Sequence, residues 1–319
     1  MKLTTIIAEP NYSPAAINIY RSLGPALFWF DMDEANREKA LKEAEVLVVR
    51  LALQVDKKLL DSMSKLKVVA TSTTGLNHID MEYAKEKNIK IISLRGETDF
   101  LEKIPSTAEE TIGLIISLLR RLPWAFEDVK KGNWNTNNWE GRQLMGKTLG
   151  IVGLGRLGKL VAGYANVFKM KVIAADPNLS SEEISKFGAR KTELEELLKI
   201  SDIVSLHVLL TDKTENFIKE KHLRLMKPDS YLVNTARAEL IEPDALEKAL
   251  REKWIAGAAV DVLREEQAGG GHLQKSELVE YAKKNNNLII VPHIGGTTRE
   301  AKEITQDYIA ELVKKYFKK

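Results

Sequence analysis

Along the first hundred residues, short apolar runs alternate with stretches whose apolar positions recur every three or four residues. "TIIAE", "ALFWF", "VLVVRL", "VVATST" and "IKIISL" read as strands, and "SPAAINIYRSLG" and "MEYAKEKN" as amphipathic helices. Strand and helix in alternation predict a parallel sheet with helices on its faces. A second alternating series opens at "GKTLGIVGLG", with strands "TLGIV", "KVIAAD", "DIVSLHV", "SYLVNT", "IAGAAVDV" and "NLIIVPH".

Between the two series lies "IPSTAEETIGLIISLLRRLPWAFEDVKKGNW". Ser106 and Glu109 have capping-box spacing, and the run from Ile112 to Leu119 is apolar nearly all the way round, which predicts a buried helix that Pro123 breaks. The chain closes on the amphipathic pattern "TTREAKEITQDYIAELVKKYF", with Thr297 and Glu300 again at capping-box spacing. The expected fold is α/β, with two doubly wound parallel-sheet domains: a Rossmann cofactor domain (104–296) inserted in a flavodoxin-like substrate domain (1–103 plus 297–319). Both chain crossings would then make one hinge that closes on ligand.

A chain of 319 residues is long for a single core, which agrees with two domains. Lys and Arg number 48 against 45 Asp and Glu, a balance that predicts no nucleic-acid or membrane partner. The chain has no cysteine, which excludes disulfides, thiolate nucleophiles and Cys-ligated metals. The start "MKLTTIIAEPNYS" is too short in apolar residues for a signal peptide, and no run approaches the roughly 20 apolar residues of a membrane helix. A cytoplasmic protein is expected. No histidine pair or carboxylate cluster has metal-ligand spacing, and no metal is expected.

"LGIVGLGRLG" is a strand running into G-x-G-x-x-G at Gly153, Gly155 and Gly158, with the helical "KLVAGYANVF" behind it and a second strand ending in Asp176. The glycines permit a tight turn, close approach of a pyrophosphate and close helix–strand packing. Asp176 is placed to accept hydrogen bonds from a ribose diol. "PNLSSEE" after it offers no cation for a 2′-phosphate, so NAD is favoured over NADP.

Ligands bind beyond the carboxyl ends of the strands in an open parallel sheet. There the later strands deliver His207, Arg237, Asp261 with Glu265 and Glu266, and His293. An arginine fork binds a carboxylate and polarises the neighbouring carbonyl, a histidine gives a proton to the carbonyl oxygen as hydride reaches carbon, and a glutamate orients that histidine. This set suits hydride transfer to a 2-oxo acid, with Asp261 accepting from the nicotinamide amide.

"GKTLGIVGLGRLGKLVA", "SLHVLLTDKTENFI", "LMKPDSYLVNTARAELI", "GAAVDVLREE" and "VPHIGGTT" together resemble the D-isomer-specific 2-hydroxyacid dehydrogenase family, phosphoglycerate-dehydrogenase-like members included. The resemblance implies that Arg237, Glu266 and His293 are the catalytic residues. It implies cofactor contacts from Gly153, Gly155, Arg156, Leu157, Gly158, Asp176, His207, Val208, Thr235, Ala236, Arg237, Asp261, His293, Gly295 and Gly296. "TSTTGLNHID" is similar to the family's substrate loop, which implies substrate contacts from Thr74, Gly75 and Asn77, with Thr74 also near the nicotinamide. Arg50, after "VLVV", is similar to an arginine that reaches a distal anion of the substrate, and Arg237 belongs to the substrate set as well. A homodimer through the 106–134 region is also implied.

Several positions depart from the family's pattern. Leu209 and Gln267 stand where proline is usual, Ala238 where glycine is usual, and Thr71 where many relatives carry arginine; the connection 267–287 is long and glycine-rich. His78, His222 and His272 have structural readings, in a loop, on an exposed segment and on the insertion. Two other functions fit the same scaffold: a dinucleotide-sensing corepressor, and phosphite or formate oxidation. The chain ends soon after the dehydrogenase-like module, so no regulatory domain and no inhibition by serine are expected.

Overall fold

The computed structural model describes residues 2–318 except Ala52, Glu265 and Gln267. Two compact units emerge. One comprises Met1–Ile104 and Thr297–Lys319, with the short piece Gln267–Gly269; the other comprises Pro105–Glu266 and Gly270–Gly296.

The first unit holds β1 (Thr5–Ile7), β2 (Ala26–Phe28), β3 (Val46–Val49), β4 (Val68–Thr71) and β5 (Lys90–Ser93). All pair in parallel in the order β2-β1-β3-β4-β5, the flavodoxin-like order. The inner strands are buried on both faces, which is why they read as unbroken apolar runs rather than as alternation. One face is closed by Ala16 and Tyr20 of the helix Pro14–Leu23 and by Ile309, Ala310 and Val313 of the helix Arg299–Lys318. Leu47, Leu60, Val69 and Ala84 build the core on the other.

The second unit carries β6 (Thr148–Val152), β7 (Lys171–Ala175), β8 (Arg190–Lys191), β9 (Ile203–Leu206), β10 (Tyr231–Asn234), β11 (Gly257–Val260) and β12 (Leu288–Ile290). They form a parallel sheet in the order β12-β11-β10-β9-β6-β7-β8, with the order reversing beside β6 as in dinucleotide-binding sheets. Ile151, fully buried on β6, shares one core with Ile115, Leu118 and Leu119 of the helix Ser106–Leu119. Cutting Ile151 back to alanine should cost about 2–5 kcal/mol.

Each strand read from an apolar run is present, mostly trimmed by a residue or two. β8 has no such run: it is a polar two-residue edge strand held by its register against Ile173 and Ala174.

Two helix starts differ from the expectation. The helix Ser106–Leu119 is capped by Pro105, without a side-chain cap; Ser106 is already its first residue and its hydroxyl is buried without a partner among the described residues. At the other crossing, Thr298 rather than Thr297 accepts from the Ala301 N–H, at 3.1 Å. Pro123 does separate two helices. Arg121 takes a left-handed turn (φ 56°) and Pro123 then sits in the first turn of the helix Leu122–Lys130, where its missing N–H costs nothing.

Candidate active site

In the second unit the site starts at the glycine turn. Gly153 has φ +89°, and a Cβ there would lie 2.9 Å from the His207 carbonyl oxygen; a Cβ on Gly158 would strike the Gly153 carbonyl oxygen at 2.3 Å. Gly155 is different: a Cβ would meet nothing within 4 Å. The loop is tight where it folds and open where the helix Arg156–Val167 begins, at the end whose free N–H groups favour an anion. Burial pushes the Arg156 guanidinium below its ordinary value, a cost that a bound anion offsets. After β7, Asp176 accepts from the Leu154 N–H and the Asn178 N–H, both at 2.9 Å, so it also ties the glycine loop. Lys191, brought in by β8, gives its ammonium to the Leu179 carbonyl at 2.6 Å. The turn, the open helix end and the carboxylate fit a dinucleotide.

His207 follows β9. Its Nε2 lies 2.8 Å from the Ser205 hydroxyl, and burial drives its pKa down to about 4, so the ring is neutral at physiological pH. After β10, Asn234 pins the turn that presents Thr235, Ala236 and Arg237. Its Oδ1 accepts from the Ala236 N–H at 3.0 Å and its Nδ2 donates to the Arg237 carbonyl at 2.9 Å. Thr235 is fixed by a 2.8 Å hydroxyl–hydroxyl bond to Thr111. Asn234, 1% exposed, fixes the turn that presents Arg237, and sequence reading passed over it. An asparagine ending an apolar strand was the available signal. Ala238 opens a short 3₁₀ turn, Ala238–Leu240, and has no left-handed backbone that would need glycine. Leu209 is 74% exposed, with its carbonyl taken by the Thr214 hydroxyl.

Asp261 follows β11 and is buried. Its Oδ1 accepts from the Ile294 N–H at 2.6 Å and its Oδ2 from the Gly295 N–H at 2.9 Å. The turn after His293 is therefore held by a carboxylate. His293 itself has a left-handed backbone (φ 53°), unusual for a non-glycine residue. Its Nδ1 lies 2.6 Å from Glu266 Oε2, while Glu266 Oε1 accepts from the Leu263 N–H at 2.9 Å. Burial opposes ionisation of Glu266, yet the His293 contact, the Leu263 N–H and the Arg237 charge outweigh it and hold its pKa below the ordinary value. An ionised Glu266 accepts, so Nδ1 carries the donated proton and Nε2 is left to face a ligand. Arg237, Glu266 and His293 are thus electrostatically joined in this unit. Glu265 and Gln267 lie outside the described residues. The rest of the connection 267–287 includes a 3₁₀ stretch, Ala268–Lys275, where His272 lies, and the helix Glu277–Ala282.

The first unit, described by itself, has a polar loop after β4. Thr71 Oγ1 lies 3.0 Å from Thr73 Oγ1 and 3.3 Å from His78 Nε2, and the Thr73 hydroxyl donates to the Gly75 carbonyl at 2.7 Å. Threonine at 71 thus shapes the loop. His78 is buried, and its pKa falls to about 4. Thr74 and Asn77 are exposed and Gly75 is half-buried. Arg50 follows β3, with Nη1 4.0 Å from Glu9 Oε1 and Nη2 donating to the Thr297 hydroxyl at 3.3 Å. Lys302 lies 3.6 Å from the same Glu9 oxygen. Glu9 and Lys302, absent from the sequence reading, stand out only when β1 and the helix Arg299–Lys318 meet. His222 caps the helix Glu220–Leu223 by accepting from the Lys219 N–H at 3.0 Å.

Among the described residues, no group of three or more His, Asp or Glu side chains is arranged to hold a metal ion, and no helix is long and apolar enough to cross a membrane.

The family model for "D-isomer specific 2-hydroxyacid dehydrogenase, NAD binding domain" matches residues 112–295. The chain is 38% identical over 283 residues to a glyoxylate reductase of Thermococcus litoralis, covering 86% of this chain and 80% of that one. It is 33% identical over 311 residues to a D-3-phosphoglycerate dehydrogenase of Methanocaldococcus jannaschii, covering 97% of this chain but spanning only 56% of that protein's length. Among solved structures, the D-lactate dehydrogenase of Aquifex aeolicus, complexed with NAD and lactic acid, aligns with a TM-score of 0.78 at 30% identity, covering 99% of this chain and 95% of that one.

Proposed function

The chain belongs to the NAD-dependent D-isomer specific 2-hydroxyacid dehydrogenase family, and we propose that it interconverts a small 2-oxo acid and its D-2-hydroxy acid. The observation that carries this reading is the 2.6 Å contact of His293 Nδ1 with Glu266, whose carboxylate is held ionised. When bound, the nicotinamide cofactor supplies or accepts the hydride. Arg237 would grip the substrate carboxylate and polarise the carbonyl next to it. In the reducing direction His293 Nε2 gives a proton to the carbonyl oxygen, and Glu266 stabilises the imidazolium that is ready to give it. In the oxidising direction the same nitrogen takes the hydroxyl proton. The N–H groups around Thr74 and Gly75, with Asn77, would take part in substrate binding. Thr74, Val208, Thr235, Ala236, Gly295 and Gly296 would line the cofactor, along with the glycine loop and Asp176. In this reading the unit with the glycine loop is the cofactor domain and the other is the substrate domain.

The test is a panel of 2-oxo acids, glyoxylate and pyruvate first, followed by NADH absorbance. Turnover that His293→Ala abolishes supports the reading; no turnover of any member refutes it. We also propose a homodimer. The helix Ser106–Leu119 spends its apolar face inside its own unit, but Leu122, Phe126 (64% exposed) and Val129 on the next helix, and Trp134 (85% exposed), leave an apolar surface in the 106–134 region. Sedimentation of wild type at twice the monomer mass, and of Phe126→Asp/Trp134→Ser at the monomer mass, is the expected outcome; the same mass for both would reject this interface.

A further inference from the structure

Glu110 points at the turn after His293, the same turn that Asp261, from the loop after β11, holds through the Ile294 and Gly295 N–H groups, and the roles proposed above give Glu110 no task. Both carboxylates crowd one glycine: a Cβ on Gly295 would lie 2.6 Å from Glu110 Oε2 and 3.0 Å from Asp261 Oδ2. Both Glu110 oxygens are buried and receive no donor among the described residues, while Asp261 is already an acceptor for two N–H groups. Two ionised carboxylates placed like this repel, and neither has a proton to offer the other. A single proton on Glu110 turns the pair into donor and acceptor.

We propose that Glu110 is a positioning residue that holds a proton toward Asp261 and thereby fixes the turn Ile294–Gly295 behind His293. Burial and the Asp261 charge raise the Glu110 pKa to about 8, in keeping with a neutral acid at physiological pH. The helix Ser106–Leu119 packs on β10, β11, β12 and the helices Arg156–Val167 and Leu122–Lys130. Among the described charged groups there, which include Arg237 after β10, His293 after β12, and Arg156 and Tyr164, Asp261 is the one that acts on Glu110. His293 acts instead on Asp261, and Tyr164 senses the neighbouring Glu109.

The consequence has a definite sign. The folded state keeps the proton to higher pH than the unfolded chain does, so stability from this pair is full below the ordinary glutamate range. It declines as pH rises toward about 8 and is level above that. Glu110→Gln supplies a permanent N–H donor of the same shape. Its melting temperature relative to wild type should therefore climb between pH 5 and pH 8, by about 2–4 °C or more, and then level off. This first readout needs neither cofactor nor substrate, so it stands or falls apart from the dehydrogenase reading.

The second readout rests on that reading, in which Asp261 faces the nicotinamide amide. The Kd for NADH, followed by fluorescence, should rise roughly three- to tenfold from pH 7 to pH 9.5 in wild type and stay flat in Glu110→Gln. Glu110→Met, which removes charge and donor together, should be flat as well but weaker than Glu110→Gln at pH 7. Melting and binding profiles of Glu110→Gln that track wild type at every pH would overturn the proposal. So would a Glu110→Met protein that binds NADH as well as Glu110→Gln.

Discussion

Two glutamates of the second unit, Glu266 and Glu110, are both half-buried and both lie against the loop that follows β12, yet their environments push them in opposite directions. Burial works against the charge in each. At Glu266 it is outweighed by His293, the Leu263 N–H and Arg237; at Glu110 the facing group is Asp261, and burial and repulsion act together. What a carboxylate faces, more than how deeply it lies, sets its protonation. In the proposed reading, an ionised carboxylate then supports a proton-transferring histidine while a neutral one braces the turn after it. Pairs of titratable groups driven apart in this way are how a fold assigns acid and base roles.

His293→Ala should lower kcat by on the order of 10²–10⁴ with the NADH Kd within a few-fold of wild type, as expected when a positioned acid–base group is lost. A near-native kcat would remove His293 from proton transfer. Glu266→Gln keeps the shape but not the charge, and a fall of about 10- to 100-fold in kcat is expected, with cofactor binding retained. An effect confined to KM would mean that Glu266 serves binding instead.

The first unit sharpens the contrast, because its charges cluster differently. Arg50 and Lys302 flank Glu9, which is 6% exposed, so the accessible charge there is positive. If Arg50 meets a distal anion of the substrate, Arg50→Ala should cost a phosphorylated or dicarboxylic 2-oxo acid about 1.5–3 kcal/mol and leave glyoxylate or pyruvate almost unchanged. Equal losses on both kinds of substrate would make Arg50 structural. The smallest effect is expected at Asp176. Asp176→Ser should narrow an NAD over NADP preference of at least about 10-fold, because the carboxylate that disfavours a 2′-phosphate is gone. An unchanged preference would place cofactor discrimination elsewhere.

The strands were legible because parallel strands buried on both faces must be apolar throughout, as Val46–Val49 and Ile203–Leu206 are. The glycine turn and the residues Asp176, Arg237, Asp261 and His293 were legible because each follows such a run directly or within three residues. β8 was not, since two polar residues carry no periodicity. The helix starts at Ser106 and Thr297 were misplaced by one position. A serine or threonine three residues before a glutamate marks a helix start, but Pro105 and Thr298 take the capping positions. Asn234, Glu9, Lys302 and Glu110 were missed for a different reason. Each acts through a partner brought near by the sheet or by a helix packed on it, as Glu110 is to Asp261, and nothing local in the sequence marks such a meeting.

The opposed protonation of Glu266 and Glu110 is most directly read by carboxyl ¹³C NMR of the glutamate-labelled protein titrated from pH 3 to pH 10, with Glu266→Gln and Glu110→Gln assigning the two signals. One signal should titrate below the ordinary glutamate value and the other near pH 8. Both signals titrating together in the ordinary glutamate range would contradict the account.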